Sequence, residues 1–305
     1  MVDRLMLLDT ASLYFRAFHG IPNTVTTPDG TTPVNAVRGL IDAVARLVRE
    51  RQPTRLVACM DADWRPAFRV AALPSYKAHR VAPEGGEQVP PGLAPQVPVI
   101  EAALDAIGLA RVGVGGYEAD DVIATLATRA DCPVDVVTGD RDLFQLVDDT
   151  RQVRVLYTAK GVARLEVVDE ATVTERYDIP GRAYADFAVL RGDPSDGLPG
   201  VSGIGAKTAA GLIRRFGDLE GTLAAADDEN TGISARVRSS LRAAADYLAA
   251  APEVVRTARD VPLPEYDDAL PHVPRDPDAL AHLRERWNLA GPLDRLLAAL
   301  AAAPV

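Results

Sequence analysis

The sequence is poor in the residues that build disulfide frameworks, zinc centres and membrane anchors. It has two cysteines, Cys59 and Cys132, and four histidines among 305 residues. Neither cysteine stands at a metal-ligand spacing, and each lies in or beside an apolar strand-like run. Both read as reduced core thiols of a cytoplasmic protein. No apolar stretch approaches the length of a membrane span, and the opening run MVDRLMLLDT is too short for a signal peptide, so a membrane partner is excluded. Lysine is scarce: Lys77, Lys160 and Lys207 are the three among 33 basic residues, an arginine excess that reflects codon composition more than function. The net charge of -10, taken alone, argues against a nucleic-acid partner. That argument weakens if many acids belong to one site where bound cations cancel them.

What is present is an ordinary globular balance, 48% hydrophobic and 25% charged, in a chain long enough for one large domain with a smaller one attached. The run from Arg4 to Asp9 reads as a buried strand ending on a carboxylate, and Leu56 to Asp61 as a second. Between them Val37, Leu40, Ile41, Val44, Leu47 and Val48 mark a helix over 35–50. A strand–helix–strand order with long connections predicts a parallel, right-handed α/β sheet. From residue 62 to about 98 the composition changes. Arg65, Arg69, Lys77, His79 and Arg80 surround Trp64, Phe68 and Tyr76, and the Pro/Gly-rich piece that follows predicts a mobile insertion. Strand-like runs flanking Gly161 predict a hairpin, and Asp169 a helix cap. A second, helical module is expected from about Ile179, with one helix over 234–250.

The chain is organised around Gly116 to Asp142, GYEADDVIATLATRADCPVDVVTGDRD. Glu118, Asp120 and Asp121 fall at the start of a helix, and Asp140 and Asp142 at the carboxyl end of a strand, the edge where open α/β sheets build their sites. A helix dipole and a cap account for one or two such acids. Five like charges need a cation. Asp9 and Asp61 end parallel strands and reach the same edge, while Asp193 and Asp196 form a pair in a Gly/Pro loop. Nine carboxylates with no histidine or cysteine suit Mg²⁺ or Mn²⁺ rather than zinc. They exceed the need of a single ion, and two ions about 3.5–4 Å apart would serve phosphodiester chemistry. Asp61-Ala62-Asp63 is superficially the aspartate pair of a haloacid-dehalogenase-type phosphatase, but it lies on the wrong strand, so Asp63 is expected to be a solvated neighbour.

The turn Gly200-Val201-Ser202-Gly203-Ile204-Gly205 is no dinucleotide fingerprint, because no strand precedes it. A glycine turn ahead of a helix exposes backbone N–H groups to phosphate. With Lys207, Thr208, Arg214 and Arg215 following, it suits sequence-independent gripping of a DNA backbone. The basic-aromatic insertion beside Asp61 suits steering of a phosphodiester and stabilisation of transition-state charge.

Taken together, GYEADD, TGDRDLFQL and GDPSDGLPGVSGIGAKTA resemble the bacterial 5′-nucleases, the flap endonucleases and 5′→3′ exonucleases whose module also forms the N-terminal nuclease domain of DNA polymerase I. The resemblance spans nearly the whole chain, and with no polymerase domain following, it implies a stand-alone member. It implies a PIN-like catalytic domain over 1–178, with an arch insertion over about 62–98, and a helix-two-turn-helix domain over 179–305. By the same resemblance Asp9, Asp61, Glu118 and Asp120, with Asp121 beside them, match ligands of a first metal. Asp140, Asp142, Asp193 and Asp196 match those of a second. Arg69, Lys77 and Arg80 match basic residues of the arch, Arg16 a basic position of the first helix, and Phe15 and Tyr76 aromatic DNA contacts. Gly200 to Thr208 matches the turn where K⁺ can bridge to duplex phosphates. Thr10 and Phe15 depart from the family's usual glycine and tyrosine without removing a ligand.

The function so implied is a monomeric, structure-specific 5′-nuclease of DNA replication and repair, acting at 5′ flaps or ends beside duplex. A PIN-type ribonuclease would share the acids but lacks a reason for the module after Ile179. A junction-binding protein with a dead site would not need all nine acids.

Overall fold

The computed structural model describes residues 3–304. Its centre is a six-stranded sheet: β1 (Leu5–Asp9), β2 (Arg55–Cys59), β3 (Ala110–Val112), β4 (Val134–Thr138), β5 (Val153–Tyr157) and β6 (Glu166–Val168), in the order β3-β2-β1-β4-β5-β6. All neighbours run parallel except β6, which returns antiparallel to β5 after a turn through Gly161, as the hairpin reading predicts. β1 is buried at every position because parallel strands are covered on both faces, which is why Leu5 to Leu8 read as an unbroken apolar run.

Alternation along β1 separates two cores. Met6 and Leu8 face one layer with Leu56 and Ala58. That layer is closed by α2 (Asn35–Arg51) through Leu40, Ile41 and Val44, and by α4 (Val97–Ile107) through Ile100 and Leu104. Leu5 and Leu7 face the other layer, where α5 (Ala119–Arg129) contributes Val122, Ile123 and Leu126. That second core continues through Phe144, Tyr184 and Phe187 into the helices beyond residue 179. Two further helices are α1 (Thr10–Gly20), which follows β1 directly, and the short α3 (Ala67–Ala72) in the insertion.

After β6 the chain is helical: α6 (Glu170–Tyr177), α7 (Tyr184–Arg191), α8 (Ala206–Phe216), α9 (Leu219–Asp227), α10 (Ala235–Ala243) and α11 (Ala245–Val255). The single helix expected over 234–250 is two, broken at Ala244 (φ -98°, ψ 14°). Nothing local demands the break; packing does. Leu241 and Leu248 are both buried, α10 against α9 and α11 against α7, and a straight helix could not serve both. The tail holds α12 (Pro277–Arg286) and α13 (Ala290–Ala301). Here the structure departs from the boundary drawn from sequence. These two helices return to the sheet, α13 lying along α2 and α12 along α4, with Leu283, Leu293, Leu296 and Leu300 in the same core as Met6 and Leu8.

The insertion over 62–98, expected to be mobile, is folded onto the body. Gln96 is fully buried; its carbonyl oxygen accepts from the N–H groups of Ala36 and Val37 at the open start of α2, and its amide donates to Asn35 and Gly92. Arg69 is 2% exposed and Tyr76 3%. Pro/Gly content gave no sign of these polar anchors because each depends on a partner far along the chain.

The tail yields a direct test. Leu296 is fully buried between α13 and α2. Leu296→Ala should lower unfolding free energy by about 2–5 kcal/mol in denaturant titrations. A change under ~0.5 kcal/mol, typical of surface sites, would show that the tail is not part of the core.

Candidate active site

The acids gather where the strands stop. β1 ends on Asp9, β2 ends two residues before Asp61, and β4 ends two residues before Asp140, while α5 starts immediately after Glu118. A cavity of about 350 Å³ opens there, lined by Asp9, Asp61, Glu118, Asp120, Asp140 and Asp193 together with Lys77, Arg80 and Arg141. Asp142 and Asp196 lie on its inner side, bordering a smaller space of about 20 Å³ with Glu118 and Asp120.

Each acid is placed by local backbone chemistry. Asp9 caps α1, accepting from the Ser12 N–H at 3.0 Å, and its second oxygen accepts from the Thr138 hydroxyl at 2.6 Å. Asp61 accepts from the Ala119 N–H at 2.7 Å, which ties β2 to the start of α5. Asp140 accepts from the Asp142 N–H at 2.9 Å, and Asp193 from the Ser195 N–H at 2.9 Å. Asp63, by contrast, is exposed and accepts from Gly116 at 2.8 Å, outside the cavity.

The electrostatics show what this crowding does. Burial, helped by Asp61 and Asp140, pushes the Asp9 carboxyl up to about 7 against the opposing pull of its Thr138 and Ser12 donors. Enclosure followed by repulsion from Asp140, Asp9 and Glu118 drives Asp120 well above the carboxylate range. Asp142 is raised in the same way, through enclosure and then Asp140, Asp196 and Asp193. Asp140 is raised by enclosure and by Asp196 and Asp193, offset in part by the Asp142 N–H. Positive charge is what the cluster lacks.

The insertion supplies some of it. Lys77 Nζ lies 2.8 Å from Glu118 Oε2, Tyr76 donates its hydroxyl to the same carboxylate at 2.8 Å, and Arg80 Nη2 lies 2.8 Å from Asp196 Oδ1. Burial alone would lower Lys77, but Glu118 with Tyr76 and Asp196 outweighs it and holds the ammonium charged. Lys77 sits in the left-handed region (φ 48°), with its N–H donating to the Asp196 carbonyl at 2.9 Å. Gly197 makes this approach possible: a Cβ there would stand 2.2 Å from the Ser75 carbonyl oxygen.

Two residues singled out in the sequence are set apart. Arg69 and Asp121 do not line the 350 Å³ cavity. They form a buried bidentate pair, at 2.7 and 2.6 Å, behind it. Arg69 also donates to the Val254 carbonyl and Asp121 accepts from the Ala258 and Glu118 N–H groups, so α3, α5 and the segment after α11 meet at one point. Arg69 also stands 3.8 Å from Glu118 and borders the smaller space, so the pair holds Glu118 in position from behind the larger cavity. Tyr76 likewise turns its ring inward and reaches the site only through its hydroxyl.

Among the described residues no three carboxylate, histidine or cysteine side chains converge into a finished coordination shell. The all-oxygen donors nevertheless fit a hard divalent cation, and Asp9, Asp61, Glu118, Asp120, Asp140, Asp142, Asp193 and Asp196 are the residues that could hold one.

A second opening of about 1130 Å³ adjoins the cavity, the two sharing Ser12, Phe15 and Gly139. It is lined by Arg16, His19, Arg46, Arg49, Lys160 and Arg295, and Arg16 is held by donation to the Ala159 carbonyl. Sequence reasoning found Arg16 and Phe15 but not the groove, whose basic residues come from four distant segments. It also passed over Thr138 and Ser12, although both stand at capping distance from a singled-out acid.

The glycine turn lies next to the Asp193 loop. Gly200 (φ 67°) packs so closely on Gly192 that a Cβ on either would meet backbone of the other within 2.8 Å. Val201 and Ile204 are buried plugs, while Ser202, Gly203, Gly205 and Lys207 face outward and Thr208 is half-buried. Gly205 caps α8 with no side-chain donor or acceptor, and Arg236 of α10 stands beside Gly203.

Comparison with known proteins agrees with this geometry. Residues 4–178 match the family described as 5′-3′ exonuclease, N-terminal resolvase-like domain, and residues 179–278 match 5′-3′ exonuclease, C-terminal SAM fold. A 5′-3′ exonuclease of Streptomyces coelicolor is 63% identical over 97% of this chain and 100% of its own length. One from Mycobacterium tuberculosis is 51% identical over the full length of both. The DNA polymerase I of Mycobacterium bovis is 40% identical over 98% of this chain but only 32% of its own. Among solved structures, the bacteriophage T5 D15 protein co-crystallised with metal ions has a TM-score of 0.64 at 19% identity, covering 83% of this chain and 89% of that one. The catalytic core of Rad2 in complex with DNA substrate has a TM-score of 0.56 at 15% identity, covering 98% and 92%. At such identities these structures attest the fold. The family matches and the two full-length relatives attest more: the chain belongs to the 5′-3′ exonuclease family, as a nuclease with a parallel-sheet domain and a helical module.

Proposed function

We propose that this enzyme is a structure-specific 5′-nuclease of DNA replication and repair, hydrolysing phosphodiester bonds at 5′ flaps and 5′ ends through two divalent cations, Mg²⁺ or Mn²⁺. The observation that carries the reading is the cavity itself: Asp9, Asp61, Glu118, Asp120, Asp140 and Asp193 line it together with Lys77 and Arg80 from the insertion. Asp9, Asp61, Glu118 and Asp120 would hold one ion, and Asp140, Asp142, Asp193 and Asp196 the other. What two such ions supply, when bound, is activation of a water and neutralisation of the phosphate and leaving oxygen. Water adds at phosphorus and the bond to the 3′ oxygen breaks, leaving a 5′-phosphate and a free 3′-hydroxyl.

The chain's own residues bind and orient. Lys77 and Arg80 already point their charges into the cavity and would exchange a carboxylate partner for the scissile phosphate. Arg69 and Asp121 brace the base of the arch against α5. The outward groups of the 200–208 turn, with Lys207, would grip a duplex backbone, and K⁺ at its carbonyls would add to that grip. The basic groove beside Phe15 gives a second stretch of phosphates a path to the site. Contacts of this kind read DNA shape rather than base sequence.

The direct test is cleavage of a 5′-labelled flap in Mg²⁺, in Mn²⁺ and in EDTA. Metal-dependent release of the flap near the junction is expected. Retained junction binding with no cleavage under any condition would refute the reading, and preference for RNA would move the enzyme to the ribonuclease class. Asp142→Ala or Asp193→Ala should abolish cleavage and leave flap binding intact; full activity in either would remove that residue from the cation site.

A pH dependence follows from the raised carboxyls. A group whose folded pKa is raised stabilises the fold below its unfolded value, near pH 4 for aspartate, and loses that contribution as pH climbs through the folded value, about 7 for Asp9. In EDTA the melting temperature should therefore fall between pH 5.5 and 8. Added Mn²⁺ should raise it more at pH 8 than at pH 5.5, as judged by calorimetry. An equal gain at both pH values would mean that the ion does not bind these carboxylates.

A further inference from the structure

The cations lining the catalytic cavity are not equivalent. Lys77 is committed to Glu118 at 2.8 Å and Arg80 to Asp196 at 2.8 Å. Arg141, the third, lies between Asp140 and Asp142 in sequence, yet its guanidinium has no carboxylate partner among the described residues. Two features keep it from its neighbours. Its backbone starts the short 3-10 helix over Asp142–Leu146. Its side chain instead stands beside the phenols of Tyr157, Tyr184 and Tyr177, the last within hydrogen-bonding reach. Arg141 and Tyr157 both line the cavity. That part of the lining is held rigid by an aromatic cluster, with the Phe144 ring 5.2 Å from Tyr157 and 5.5 Å from Tyr184, both edge-on.

An arginine without a carboxylate partner, lining a pocket of acids, has one chemical use consistent with a nuclease. It is exposed, so no fold constraint requires it. Between Asp140 and Asp142 it would be expected to collapse onto one of them, and it does not. Arginine offers a planar fork that matches two phosphate oxygens at once.

We infer that Arg141 binds a backbone phosphate of the DNA strand next to the scissile one, at the part of the cavity it lines with Tyr157. This rests on the nuclease reading above and adds to it a residue for substrate positioning. The arch cations act at the scissile phosphate, and Arg141 fixes the strand at the neighbouring one. A strand held at both phosphates is presented to the acids in one register, which would also limit where it is cut.

The test uses Arg141→Gln and Arg141→Lys in the full-length protein, with flap binding measured by fluorescence anisotropy in EDTA across a salt series. Single-turnover cleavage in Mg²⁺ is measured alongside. For Arg141→Gln, Kd should rise by about tenfold. The slope of log affinity against log salt should become shallower by about one. Cleavage at saturating enzyme should stay within about threefold of wild type. Arg141→Lys should recover most of the affinity and the slope, since one charge suffices for the salt effect. Unchanged Kd and slope in Arg141→Gln would overturn the inference. So would a large loss of single-turnover rate with unchanged Kd, which would make Arg141 a support for Asp140 and Asp142. Failure of the wild type to bind the flap would overturn the nuclease reading together with this one, whereas wild-type binding with an indifferent variant would overturn this one alone.

Discussion

Repulsion among carboxylates at one edge of a parallel sheet is the constraint on which the rest of this structure depends. Parallel strands β1, β2 and β4 all point the same way, so their terminal acids arrive at one place whatever lies between them in sequence. Enclosure then removes the water that would have screened them, and Asp9, Asp120, Asp140 and Asp142 are all raised as a result. Such an arrangement opposes folding unless positive charge is brought to it. The fold brings some from the insertion, and leaves a deficit that suits divalent cations.

The insertion is for that reason part of the site and not an ornament on it. Glu118 takes Lys77 and Tyr76, Asp196 takes Arg80, and the Ser75 carbonyl rests on Gly197. Each contact joins an arch residue to an acid or to the loop that carries one. Behind them the Arg69–Asp121 pair ties the base of the arch to α5 and to the strand of chain leaving α11. A buried ion pair of this kind contributes little net stability compared with an apolar replacement, but it fixes geometry, because either partner alone would be a buried uncompensated charge. It holds the acids in place without being one of the groups that face substrate.

The family membership accounts for the donor set, and the geometry accounts for the division of labour within it. Six of the nine singled-out acids line the larger cavity, Asp142 and Asp196 line the smaller space beside it, and Asp121 lines neither. The basic groove adjoins that cavity at Phe15, and the glycine turn packs on Gly192, next to Asp193 of the cavity lining. A net charge of -10 is thus compatible with a nucleic-acid partner, since the acids are concentrated where cations are needed and the arginines line the approaches.

The sequence by itself determined the parallel sheet, the acids at its edge, the hairpin through Gly161 and the helix following the glycine turn. All of these follow from local signals: apolar runs, caps, glycine positions and a carboxylate at the end of each run. The three long motifs determined the family. Only the tertiary structure decided which of the basic and acidic residues face one another. Arg69 and Lys77 look alike in sequence, eight positions apart, yet one is buried against Asp121 and the other reaches Glu118 from above. The same holds for Gln96 at the start of α2, for the break at Ala244 and for the return of α13 to the sheet. In each case the deciding partner lies tens to hundreds of residues away, and long-range packing leaves no periodicity or spacing in the chain from which it could be read.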